Sequence, residues 1–176
     1  MGVTTTTGSA NTYTAIATTT LASAASSYTF SSISSAYTDL VLIASGITSV
    51  QDSIFSVRLN SDSGTNYSNT TILGYNGSGS GISGRSSNQT FALLSTSSSG
   101  SANQPGVIIA NFLNYSNTTT YKTVLSRNAS IGSVKTTDAI VNTWRSTAAI
   151  NTILIYPNTG TFSAGSTFTL YGIKAA

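Results

Sequence analysis

An all-β chain, folded as an antiparallel β-sandwich of jelly-roll-like type with about 8–10 strands, is the architecture this sequence predicts. Three observations carry it. The periodic segments are built from β-branched and aromatic residues, Glu is absent, and Gly, Asn and Ser clusters recur between short apolar runs. At 176 residues the chain suits one sandwich domain, with a real core and no need of staples.

The strands follow in order. Asn11 to Ala17, Tyr28 to Ser31 and Thr38 to Ser45 open the chain, and Ser53 to Asn60 and Thr90 to Leu94 occupy its middle. Gly106 to Tyr115, Tyr121 to Asn128, Ala139 to Arg145, Asn151 to Tyr156 and Ser166 to Ile173 complete the set. The Ala-rich "TAIATTTLASAASS" from Thr14 to Ser27 has a helical look, but its threonines lower helix propensity and it has no charged face, so it reads as strand or loop. The Gly- and Ser-rich stretch from Gly74 to Gln89 reads as a mobile surface excursion. The low-complexity residues 1–10, "MGVTTTTGSA", form a separate flexible arm, and residues 11–176 make the sandwich domain.

Two apolar patterns differ in what they demand. "FSVRLN" alternates cleanly, so Phe55, Val57 and Leu59 share one face while Ser56 and Arg58 take the other. "LVLIA", "VIIA" and "ILIY" do not alternate. With Leu40, Leu42 and Ala44 in the core, Val41 and Ile43 point to the face that antiparallel sheets normally leave wet. Either a loop of the same chain or a second copy must cover them, and the latter predicts a homo-oligomer.

Charge is scarce. Asp, Glu, Lys and Arg make up 6% of the residues, and the net charge of +3 comes from seven scattered basic residues against four Asp. No cluster of them tracks a phosphate backbone, so nucleic acid is not expected as a partner. Neither is a membrane, since no apolar run approaches the roughly 18 residues of a spanning helix.

Catalytic parts are equally short. Without His, Cys or Glu, the common triads, thiol nucleophiles and most metal centres are excluded. A pair of Asp side chains or a Ser–Lys dyad survives on paper, yet the four Asp residues are far apart in sequence and no Ser-x-x-Lys occurs. The sequence therefore assigns no catalytic, cofactor-binding or metal-binding residue, implies no cofactor, and does not read as an enzyme. "GSGISG", Gly79 to Gly84, has the spacing of a dinucleotide loop, but that motif needs a helix behind it and an acid about 20 residues on. Here "RSSNQT" follows and no acid occurs between Asp62 and Asp138. "NSDSGTN", Asn60 to Asn66, spaces oxygens somewhat like a calcium loop, but one carboxylate is too few and a hairpin turn accounts for it. Trp144, inside an apolar strand, reads as core.

The pieces "YTFSSISSAYTDLVLIAS" (Tyr28 to Ser45), "SVRLNSDSGTNYSNTTILG" (Ser56 to Gly74) and "WRSTAAINTILIYPNTGTFSAGSTFTLYGI" (Trp144 to Ile173) together resemble a group of bacteriophage virion structural proteins. The resemblance implies a noncatalytic β-sandwich on the surface of a phage particle. Within that group the expectation is a capsid decoration, or cement, protein that binds the major capsid protein on the outside of the head as a homotrimer and stabilises the shell. The alternative it implies is a tail-fibre or tail-associated module that contacts other tail proteins and binds host surface glycans.

Overall fold

The computed structural model describes residues 12–76, 81–96, 105–131 and 135–174; the arm expected at 1–10 lies outside them. Twelve strands run in chain order: β1 (Tyr13–Thr20), β2 (Tyr28–Phe30), β3 (Asp39–Gly46), β4 (Phe55–Leu59), β5 (Tyr67–Tyr75), β6 (Ile82–Gln89), β7 (Ala92–Leu93), β8 (Gly106–Leu113), β9 (Lys122–Ile131), β10 (Lys135–Trp144), β11 (Ile153–Pro157) and β12 (Thr167–Ile173). They form an eight-stranded sheet, ordered β1-β12-β3-β8-β9-β10-β5-β6, and a four-stranded sheet, ordered β2-β11-β4-β7. Every pairing is antiparallel. The fold is thus the expected all-β sandwich, divided unequally, with twelve strands where about 8–10 were expected.

The two extra strands are β5, in a stretch read as no element, and β6, which with the end of β5 corrects the reading of residues 74–89 as a mobile excursion. β5 extends to Tyr75 and pairs with β6, which occupies Ile82–Gln89. A smaller correction concerns Thr90 to Leu94, where only Ala92–Leu93 pairs as strand.

The core follows from the alternation in the sequence. Phe55, Val57 and Leu59 of β4, with Ile153 and Ile155 of β11, are fully buried and form the inner layer of the small sheet. The large sheet contributes Leu40, Leu42 and Ala44 from β3, Ile108, Ala110 and Phe112 from β8, and Phe168 and Leu170 from β12 to the same core. Aromatic rings knit the middle. Phe168 stacks on Tyr28 at 5.5 Å between centroids and meets Phe162 edge-on at 4.9 Å, and Phe162 meets Phe55 edge-on at 5.1 Å.

The last strand is held from both sides, between β1 and β3. Gly172 lies directly against the Tyr37 ring, in space that any Cβ would need, and the Lys174 ammonium sits 5.8 Å from the centroid of the same ring. An apolar chain end is thereby fixed into the sheet.

Candidate interaction surface

The inner face of β10 carries polar side chains where a core strand would carry apolar ones. Thr136, Asp138 and Asn142 are all buried. Asn142 and Asp138 bind across to the second layer. The Asn142 amide accepts from the Leu93 backbone N–H and donates to the Leu93 carbonyl, both at 2.8 Å, so it clamps β7 from across the sandwich. Three residues along, the Thr96 N–H and hydroxyl both donate to Asp138 Oδ2, at 2.7 and 2.5 Å. Burial pushes the Asp138 carboxyl above its usual range, against the pull of those hydrogen bonds.

Trp144 ends the same face, 2% exposed, as the sequence led us to expect. Its indole N–H donates to Asp62 Oδ2 at 2.6 Å. Asp62 also accepts from the Gly64 N–H and from the Asn66 amide. Partial burial opposes ionisation here, but the Trp144, Asn66 and Gly64 donors outweigh it and hold the carboxyl below its usual range. A carboxylate surrounded by N–H donors is the reverse of a cation ligand, so residues 60–66 form a turn locked to Trp144. The stretch is a turn, as expected, but not a hairpin: it carries the chain from β4 in the small sheet to β5 in the large one, and those two strands do not pair.

The other sequence motifs resolve similarly. Behind "GSGISG" comes strand β6 rather than a helix, so the sequence there does not build a dinucleotide loop. Lys122, 1% exposed, donates through Nζ to the carbonyls of Thr120 and Thr147 at 2.8 and 3.2 Å, and burial lowers its pKa. Asp39 accepts the Asn114 N–H at 2.5 Å, and Asp52 lies in a turn with φ of +59°. No group of three or more His, Cys, Asp or Glu that could hold a metal occurs among the described residues. A hydroxyl-based cation site beside Asp138 fails on distance. Ser126 and Ser130 are buried on β9 with no hydrogen-bond partner for their hydroxyls, but they stand four residues apart, about 13 Å, too far to share one ion.

The outer face of the large sheet is different in kind. One cross-strand row runs Ile43, Ile109, Arg127, Ala139, Ile72 across β3, β8, β9, β10 and β5. The neighbouring row runs Val41, Asn111, Leu125, Val141, Thr70. Val41 is buried within its row, but Ile72 is 65% exposed, Val141 46%, Ile43 38% and Leu125 37%. A groove of about 510 Å³, lined by Ile72, Leu113, Leu125, Ala139, Val141 and Arg127 among others, runs through the middle of this face. The sequence had flagged Val41 and Ile43; the structure places most of the exposed apolar area further along, on β9, β10 and β5. Beside it, Arg85 and the hydroxyls of Ser68, Thr70, Ser86 and Thr143 line a polar groove of about 450 Å³.

This face carries few charges, Arg127 near its centre with Asp39 of β3, Lys135 of β10 and Arg85 of β6 toward its margins, so little water is stripped on docking. It can associate with another flat, weakly charged surface. No protein-family model matches the chain, and no curated protein matches its sequence.

Proposed function

We propose that this chain is a noncatalytic surface protein of a bacteriophage particle, a capsid decoration protein that binds the major capsid protein on the outside of the head as a homotrimer and stabilises the shell. One observation supports it above the others: five adjacent strands present a largely apolar outer face with few charges while their opposite face faces the interior of the sandwich. Large exposed apolar patches mark association surfaces. The resemblance of residues 28–45, 56–74 and 144–173 to phage virion proteins is the ground for the kind of particle proposed. Individual contacts between one copy and the coat can be weak, because three linked copies gain about 10²-fold or more in avidity.

The tail-associated, glycan-binding alternative draws less support. The most exposed tyrosines, Tyr13 at 56% and Tyr121 at 58%, do not form one platform, since Tyr13 belongs to edge strand β1 and Tyr121 precedes β9, with three strands between them. Adding purified protein to heads that lack it tests the proposal. Stable binding with raised resistance to heat and osmotic shock is the expected result. Particles with unchanged resistance, labelled at the tail by antibody microscopy, would instead favour the alternative.

A further inference from the structure

The two sheets treat their edges in opposite ways. In the small sheet the edge strands are β2 and β7, three and two residues long, and short edges of this kind offer a stray strand almost nothing to pair with. In the large sheet the edges are β1 and β6, each eight residues long. Neither contains Pro or Lys, the usual guards of an open edge, and Arg85 is the only charge on either. Each carries one bulge, which still leaves Ile82–Ser86 of β6 and Ala17–Thr20 of β1 in unbroken register with their inner neighbours.

β6 is the more unusual of the pair. Seven of its eight residues are exposed, on both faces, so its place in the fold rests on the ladder to β5 with little burial. A strand held this way gains from a second ladder on its free side, and no described strand supplies one.

From these edges we infer that copies of this chain join head to tail, the β6 edge of one pairing with the β1 edge of the next. Strand parity selects this arrangement. Eight antiparallel strands make β6 run opposite to β1, so a second copy set beside the first in the same orientation places its β1 antiparallel to β6. The ladder then continues without turning the sheet over, and the apolar outer faces stay on one side of the assembly. A symmetric β6–β6 pair would instead bring two Arg85 side chains into one short ladder, with no acid on either strand to offset them. Head-to-tail contacts close into a ring when the rotation per copy allows it, which suits a trimer.

The inference rests on the reading of a self-assembling protein, and the two can fail separately. Because the chain has no Cys, introduced pairs report cleanly. Ser83 and Thr18 are exposed, and their cross-strand partners Ile72 and Thr169 place both on the outer face. Seven strand spacings separate the two edges, about 34 Å, far beyond the reach of a disulfide within one chain. Under mild oxidation the double variant Ser83→Cys with Thr18→Cys, or with Thr20→Cys for a register two residues away, should form covalent closed oligomers, while each single variant should not cross-link. Covalent dimers of Ser83→Cys alone would overturn the inference in favour of a two-fold pair. So would a wild-type chain that sediments as a monomer at every concentration. Shell binding by such a monomer would remove the edge pairing and leave the decoration role standing; cross-linked rings that ignore shells would do the reverse.

Discussion

Asn142 shows how a polar residue can hold a sandwich together. Its side chain satisfies both backbone groups of Leu93 in the opposite layer, and it is fully buried. Asn142→Leu would leave a buried N–H and a buried carbonyl without partners, a loss of about 2 to 4 kcal/mol that denaturant unfolding should read directly. Asp138 makes the same kind of clamp with a group that titrates. Its folded-state pKa is raised, so ionisation at neutral pH works against the fold, and protonation relieves the cost as pH falls through the raised value toward 3.8. Asp62 has the opposite sign: its lowered pKa contributes stability above 3.8, lost only as pH falls below that value. Thermal unfolding should therefore show the melting temperature rising on acidification from neutral pH and turning down below about 3.8. Asp138→Asn should flatten the rise and leave the acid-side fall in place. A variant that kept the full rise would assign it to another group.

Among the elements, β12 was the most legible and β6 the least. Phe168, Leu170 and their neighbours alternate with residues of the outer face, so the period of two appears in the sequence and in the burial alike. Phe168 is fully buried against Tyr28 and Phe162, and Phe168→Ala should cost about 3 to 5 kcal/mol in a thermal or denaturant melt. β5 inverts the usual code, with Asn69 and Thr71 turned inward and Ile72 outward. β10 does likewise, burying Asp138 and Asn142 while exposing Val141, which explains why only its second half was legible as strand. β6 has no buried face, so no apolar periodicity could announce it. The surface patch was visible in the sequence only in the non-alternating runs of β3 and β8. Its larger part sits on strands whose polar residues look exposed on paper and are interior in fact.

At the scale of the whole molecule, the scarcity of charge sets how it can associate. Seven basic groups and four carboxylates are spread over 176 residues. Three of those carboxylates, Asp39, Asp62 and Asp138, are engaged by internal hydrogen bonds. Long-range steering and interfacial ion pairs are screened within about 8 Å at physiological ionic strength, so an interface built on them weakens as salt rises. One built on Ile72, Leu125 and Val141 has no such dependence, because burial of apolar area is insensitive to screening and is strengthened by excluded salts such as sulfate. Binding of the purified protein to shells, followed by co-sedimentation, should accordingly change less than about threefold between 0.05 and 1 M NaCl and tighten in sulfate. Ile72→Asp combined with Val141→Asp should weaken it by at least about tenfold while far-UV circular dichroism stays that of the wild type, since both side chains already face solvent in the isolated fold. Binding that collapsed in high salt and ignored the double substitution would move the contact away from this sheet face and onto the scattered lysines and arginines.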